Sequence, residues 1–149
     1  MTLPVRFPLQ ILLLLSISLP LITSDPVRIN IAIKCEGVKH WCGKVSIYEQ
    51  DHPKFHDDWF LEEFCSNDTV HKVKVGPLLP KGDYSPEYEI GLQLTHDCSS
   101  DRILRCLEPP IRHVSVANEV TINYNMSVFQ MGNEGACLLP NDYPMRRFA

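Results

Sequence analysis

The segment VRINIAIKC, residues 27–35, decides the fold class of this chain. Apolar residues occupy every second position of the segment, and polar or small residues fill the positions between them. Successive side chains of an extended strand point to opposite faces, so this period of two predicts a strand with one buried face. Further alternating runs follow along the chain, at residues 45–47, 73–75, 88–94, 114–116 and 120–128.

Turn-forming residues separate these runs, and frequent turns between short strands are typical of antiparallel sheets. We therefore predict an all-β protein, an antiparallel β-sandwich of about seven strands stapled by disulfides. The residues expected to face inward are Ile31, Ile33, Val45, Ile47, Ile90, Leu92, Leu94, Ile122 and Tyr124.

The segment DDWFLEEF, residues 57–64, is the place where a helix is expected if there is one. Asp57 or Asp58 can cap a helix of one or two turns, whose aromatic residues then lie near one face. An edge strand or an ordered loop is the alternative for the same residues. The fold prediction therefore includes at most one short helix.

The first 24 residues have the three-part layout of a secretory signal peptide. Arg6 precedes an apolar run over about residues 11–22, and the small polar pair Thr23-Ser24 follows it. A membrane anchor is the alternative, but the run is shorter than the roughly 20 residues that span a bilayer, and Pro20 interrupts it. We predict cleavage near Ser24 and a secreted, extracellular protein without a transmembrane anchor.

Length and composition agree with this organisation. The 149 residues are 44% hydrophobic and 21% charged, which is typical of a single globular domain. We assign residues 25–131 to the sandwich and residues 132–149, which lack periodicity, to an irregular tail. The net charge of −4 argues against nucleic acid as a partner, because phosphate binding needs clustered Lys and Arg.

All the cysteines lie beyond the predicted cleavage site, and their even number in a secreted chain predicts three disulfides. A zinc site is the alternative, but the spacings lack the Cys-x2-Cys pairs of zinc ribbons. Six cysteines allow fifteen pairings, so the residues alone leave the connectivity open. They are Cys35, Cys42, Cys65, Cys98, Cys106 and Cys137.

Two Asn-x-Ser/Thr sequons suit a secreted chain, since each can carry an N-linked glycan on an exposed surface. Asn67 lies in a polar run between two apolar segments, and we expect it to be glycosylated. Asn125 lies inside a predicted strand, where a glycan requires that its side chain face outward.

Four segments follow one another in a distinctive order: a strand ending in Cys, a strand followed by Asp, a Val-rich strand ending in Gly, and an apolar strand ending in His-Asp-Cys. They read IAIKC (31–35), VSIYEQD (45–51), VHKVKVG (70–76) and EIGLQLTHDC (89–98). With a signal peptide before them, they make the chain resemble the nematode transthyretin-like family of secreted proteins over about residues 27–116.

The resemblance implies a transthyretin-like sandwich of two sheets and a disulfide between Cys35 and Cys98. Enzymes that share the transthyretin fold hydrolyse 5-hydroxyisourate and end in Tyr-Arg-Gly-Ser. This chain ends instead in Arg146-Arg147-Phe148-Ala149, so such a hydrolase is a remote alternative.

The triplet His96-Asp97-Cys98 places a base beside a thiol, but a cysteine nucleophile must be free and have a lowered pKa. We expect Cys98 to be disulfide-bonded and His96 to hold the end of a strand by hydrogen bonding. No catalytic residue is assigned.

A second cluster offers donors that zinc or calcium accepts, namely His52, His56, Asp57 and Asp58. Pro53 prevents a regular helix through this cluster, so we predict a solvated acidic loop and no metal. Trp41 and the Trp59-Phe60 pair lie in predicted loops, where they serve either a binding surface or the packing beneath the loop.

The sequence contains no Gly-rich phosphate loop and no nucleophile elbow. We predict a non-catalytic, cofactor-free binding or adaptor module that contacts an extracellular or cell-surface protein, or a lipid, through its loops. The alternative is a carrier of a small apolar ligand, held between the sheets or at a dimer interface.

Overall fold

The computed structural model describes residues 26–52, 55–78, 86–115 and 118–138. The predicted signal peptide and residues 146–149 lie outside these ranges. Within them the chain forms nine β-strands and no helix, and hence no helix that could cross a membrane. The strands are β1 (Val27–Lys34), β2 (Trp41–His52), β3 (Phe55–Ser66), β4 (Val70–Leu78), β5 (Glu87–His96), β6 (Arg105–Leu107), β7 (Arg112–Ser115), β8 (Val120–Ser127) and β9 (Asn133–Glu134).

The strands form two sheets. β1 is the centre of a three-stranded sheet, antiparallel to β4 on one side and parallel to β8 on the other. The six-stranded sheet has the order β3-β2-β5-β6-β9, and β7 pairs with β5 on the edge that β6 also uses. The β1–β8 pair departs from the predicted antiparallel arrangement. Parallel neighbours need a long crossover, which strands β2 to β7 supply here.

The core lies between the two sheets and confirms the alternation in the sequence. All nine residues expected to face inward are buried, and β1 shows the predicted period of two along its length. The prediction of about seven strands falls short because β6 has three residues and β9 has two. Strands this short show no detectable alternation.

The expectation of a short helix at residues 57–64 is wrong, because these residues belong to the edge strand β3. β3 pairs antiparallel with β2 from Trp41 opposite Ser66 to His52 opposite Phe55, with two irregularities in the register. A helix here would leave this edge of β2 without its backbone partners, and the cost of unpaired backbone groups exceeds a local helical preference.

Three disulfides use all six cysteines. The first, which is the pair that the resemblance implies, is fully buried and links the end of β1 in one sheet to the end of β5 in the other. The second joins facing residues of β2 and β3, and the third fastens the chain after β9 to β6. The bonds are Cys35–Cys98, Cys42–Cys65 and Cys106–Cys137.

Two glycines on either side of β9 provide a matched test of this attachment. Gly132 and Gly135 have φ angles of 93° and 109°, which disfavour any side chain. A Cβ at Gly132 would overlap the Cys106 carbonyl oxygen, whereas one at Gly135 would meet nothing within 4 Å. We expect Gly132→Ala to lower the free energy of unfolding by about 1–3 kcal/mol more than Gly135→Ala, measured by urea unfolding. Equal losses would contradict the close approach.

Candidate binding face on the six-stranded sheet

The surface of the six-stranded sheet that faces away from the core is built from three rows of residues across β3, β2 and β5. We call this surface the outer face. Strand pairing sets the rows, because facing residues of neighbouring strands point to the same side. The rows are Cys65, Cys42 and Asp97, which directly follows β5, then Glu63, Lys44 and Thr95, then Leu61, Ser46 and Gln93.

Part of the outer face is covered by the chain around Cys137. Ser46 and Gln93 are only 4% and 3% exposed, although they point away from the core. The Gln93 amide donates to the Leu138 carbonyl at 3.0 Å and to Glu108 at 2.6 Å, and the Cys137 N–H donates to the Thr95 hydroxyl at 2.9 Å. The predicted irregular tail is therefore held against the sheet as far as residue 138.

The uncovered part of the outer face contains an open pocket of about 350 Å³. The Cys42–Cys65 disulfide lies on one side of the pocket, and Leu104, which is 48% exposed, lies among its lining residues. A smaller depression shares Lys44 and Thr95 with this pocket and continues it toward Cys137. We call these two adjoining depressions together the groove; one is lined by Cys42 and Cys65 and the other by Cys137.

Charged groups at the pocket are paired with one another. The Lys44 ammonium lies 3.4 Å from the Glu63 carboxylate across the β2–β3 pair. Asp97 Oδ1 accepts the Cys42 N–H at 2.7 Å, and Asp97 Oδ2 forms an ion pair with Arg102 at 2.8 Å. Asp97 therefore fixes the end of β5 to the start of β2 and forms one wall of the pocket. No local pattern in the sequence predicts this role, because Cys42 and Asp97 are far apart along the chain.

The residues of the His96-Asp97-Cys98 triplet do not form a nucleophilic pair. Cys98 is bonded to Cys35, so it has no free thiol. His96 is fully buried, and its Nδ1 accepts the Cys98 N–H at 3.2 Å. As predicted, the imidazole holds the end of a strand.

Burial lowers the pKa of the His96 imidazole below its ordinary value of 6.5, and the neighbouring Met131 backbone partly opposes this effect. The unfolded chain protonates this group near pH 6.5, so below that pH the unfolded state binds more protons than the folded state. We expect the free energy of unfolding to be fully retained above about pH 6.5. It should fall below that pH, by at most about 1.4 kcal/mol per pH unit.

Urea unfolding of the wild type and of His96→Gln between about pH 5 and pH 8 measures this contribution. The difference between the two proteins should shrink as the pH falls. An identical pH dependence in both would show that His96 is not the responsible group.

The cluster of His52, His56, Asp57 and Asp58, predicted to be a solvated acidic loop without a metal, lies where β2 ends and β3 begins. The His56 ring packs edge-on against Tyr48 with centroids 5.1 Å apart, while Asp57 and Asp58 are exposed on β3. The segment from His56 is thus part of a strand and not the predicted loop. The structure does not describe the side chain of His52.

Both tryptophans lie on strands and not in the predicted loops. Trp41 is fully buried at the start of β2, and its indole N–H donates to the Asp68 carbonyl at 2.9 Å. Trp59 is half-buried on β3 and packs edge-on against Tyr88 at 6.0 Å. Trp41 therefore serves core packing, which was the second of the two roles considered for it.

Both sequon asparagines are exposed. Asn67 lies in the turn between β3 and β4, and its Oδ1 is 2.9 Å from His40 Nδ1. Asn125 points outward from β8, an edge strand of the three-stranded sheet. Exposure meets the steric requirement for a glycan at each site, and glycosylation itself stays a prediction.

A family model covers most of the domain. It is described as Caenorhabditis elegans protein of unknown function (DUF870), and it matches residues 30–140. The chain belongs to the DUF870 family. No curated protein and no solved structure matches the chain. The match spans all nine strands except the first three residues of β1, so the groove lies inside the part of the chain that defines the family.

Proposed function

We propose that this DUF870 protein is a secreted, non-catalytic binding module of the transthyretin-like type. Its partner is an extracellular or cell-surface protein, bound at the groove on the outer face and through the loops beside it. The observation that carries the proposal is the open pocket of about 350 Å³ beside the Cys42–Cys65 disulfide, on a part of the sheet that the tail leaves uncovered.

The chemistry of this surface supports recognition of a protein. Leu104 lines the pocket and is about half exposed. Leu61, in the third row of the outer face, and Leu138, at the end of the covering segment, are similarly exposed. Lys44 and Glu63 provide charge beside them. Protein interfaces combine such apolar anchors with a polar rim, and a site built on rigid strands loses little conformational entropy on binding.

Two further features support the type of module. Two sheets that enclose a single core, with a buried disulfide between Cys35 and Cys98, are what the transthyretin-like resemblance implies. Three disulfides suit an oxidising compartment, which agrees with the predicted signal peptide. The Cys98 thiol is bonded and His96 is buried, so the one candidate nucleophilic pair is not available for catalysis.

A small apolar ligand is a second candidate occupant of the same groove. A volume of about 350 Å³ is within the range of small-molecule sites, and Phe64 and Leu104 are among the lining residues. A ligand at this position would lie outside the sandwich. The carrier considered from the sequence would hold its ligand between the sheets or at a dimer interface. Between the sheets, the buried side chains form one hydrophobic cluster.

The test compares two single substitutions that introduce the same charge. Leu104→Glu changes the pocket, whereas Met131→Glu changes a side chain that is similarly exposed and does not line it. The secreted wild type and both variants are cross-linked to proteins on the cell surface. We expect Met131→Glu to cross-link to the same proteins as the wild type and Leu104→Glu to lose them. Retention of the same proteins by both variants would rule out the groove. The carrier would be favoured if the wild type cross-linked to no protein but bound an apolar fluorescent probe, and Leu104→Glu no longer bound that probe.

A further inference from the structure

His40 lies beside the Cys42–Cys65 disulfide at one end of the outer face. Its Nε2 is 3.9 Å from Cys42 Sγ, and its Nδ1 is 2.9 Å from Asn67 Oδ1. An amide oxygen can only accept a hydrogen bond, so the proton of the neutral ring resides on Nδ1. The lone pair of Nε2 is then available on the side of the sulfur atoms.

We propose that His40, Cys42 and Cys65 form a latent zinc site, which becomes available when a small-molecule thiol reduces the Cys42–Cys65 disulfide. The thiolate of one reductant molecule attacks the exposed Cys65 sulfur, and Cys42 leaves as a thiolate. A second reductant thiolate attacks the mixed disulfide and releases Cys65. Two thiols are thereby oxidised to one disulfide, and the protein gains two cysteine thiols. Binding of Zn²⁺ then releases their two protons to water.

The donor set fits this metal. The three ligand atoms lie within 4.8 Å of one another in the oxidised protein. Once the disulfide opens, the sulfurs can separate to the roughly 3.7 Å that two thiolates span on a tetrahedral zinc ion. Two thiolates and an imidazole favour zinc over calcium or magnesium, which prefer oxygen ligands. Asn67 would orient the imidazole, as hydrogen-bond acceptors commonly do for histidine ligands of zinc.

Accessibility distinguishes this disulfide from the other two. Cys65 is exposed, and both Cys42 and Cys65 line the open pocket through which a small thiol can approach. The sulfurs of Cys35–Cys98 are fully buried, and Cys106–Cys137 is half-buried. Exposed disulfides are the ones that thiol exchange reaches first.

A second group of potential donors provides an internal comparison. Glu108 lies near the Cys106–Cys137 disulfide, with its ligand atoms equally close together. Its carboxylate, however, accepts a hydrogen bond from Gln93 at 2.6 Å, which occupies the group in holding the outer face. We therefore assign the zinc site to the His40 group, and Glu108→Gln is a suitable control substitution.

The first experiment determines the order of reduction in the full-length disulfide-bonded protein. The protein is equilibrated with graded mixtures of reduced and oxidised glutathione, alkylated, and mapped by peptide mass spectrometry. We expect Cys42 and Cys65 to be labelled together at a less reducing mixture than the other four cysteines. Earlier labelling of another pair would overturn the proposal.

The second experiment measures metal binding by the protein reduced at that pair, after glutathione has been removed under argon. We expect one Co²⁺ to bind with the absorption of cobalt–thiolate bonds, and Zn²⁺ to displace it. His40→Ala should weaken Zn²⁺ binding at least about tenfold, and Glu108→Gln should leave it unchanged. Failure of the reduced wild type to bind, or equal affinity in His40→Ala, would overturn the proposal.

Asn67 allows a test of the orienting role that is independent of glycosylation. Asn67→Ala removes both the hydrogen bond to His40 and the sequon, whereas Thr69→Ala removes only the sequon. We expect Asn67→Ala to lower the Zn²⁺ affinity about 10–100-fold relative to Thr69→Ala. Equal affinities would show that Asn67 does not position the imidazole. Neither result depends on the partner bound at the groove.

Discussion

Removing the buried disulfide with the double substitution Cys35→Ala and Cys98→Ala is expected to lower the free energy of unfolding by at least about 4 kcal/mol. The bond closes a loop with a sequence separation of 63, and loop-closure entropy in the unfolded chain accounts for that figure. Both sulfurs are fully buried between the sheets, so their loss also leaves a small cavity. Urea unfolding followed by far-ultraviolet circular dichroism measures the change.

The matched control removes Cys42 and Cys65, whose loop has a separation of only 23 and whose bond lies at the surface. The difference in loop length alone makes this double substitution about 0.9 kcal/mol less costly, and the absence of a core cavity increases the gap. If the surface pair proved as costly to remove as Cys35–Cys98, the buried bond would not be the main covalent link of the fold.

Trp41→Ala is expected to cost about 3–5 kcal/mol, since it removes the largest fully buried side chain. The indole packs edge-on against Phe64 at 5.1 Å, and its N–H holds the turn after β3 through the Asp68 carbonyl. Trp41→Phe keeps most of the packing and loses the hydrogen bond, so it should cost about 1–3 kcal/mol. The same urea experiment measures both variants.

Trp59→Ala serves as the comparison because it removes the same side chain from a half-buried position. Its cost should lie below that of Trp41→Ala, since less apolar surface returns to water. A larger loss at Trp59 would mean that the edge strand β3, and not the start of β2, carries the aromatic packing.

The sequence was sufficient to predict the central strands of the fold. Residues of β1 and β5 alternate over eight or more positions, and the same alternation that buries Leu92 and Leu94 turns Gln93 and Thr95 outward. The outward direction of the β5 residues Gln93 and Thr95 on the outer face was therefore predictable from the alternation alone. A period of two is reliable here because each strand has one face in the core.

Other features depend on contacts that no local pattern contains. The acidic segment of β3 has helical character by itself, and it becomes a strand because β2 offers an edge with which it pairs. The tail hides Gln93 through the Leu138 carbonyl, a hydrogen bond between residues 45 positions apart. Backbone donors and acceptors of this kind carry no side-chain signature. The position of the groove depends on where the tail stops covering the outer face. The sequence alone therefore did not predict the groove.

The parallel pairing of β1 with β8 has a consequence for the order of events as the chain emerges from the ribosome. β1 is among the first strands made, yet the partner on one side of it ends at Ser127, about ninety residues later. The smaller sheet is incomplete until nearly the whole domain has been synthesised, and Cys35 stays without its partner until Cys98 has followed. Folding dominated by such distant pairings is slow and leaves apolar edges exposed meanwhile. We therefore expect this protein to depend on chaperones and disulfide isomerases while it is synthesised and folds, more than after folding is complete.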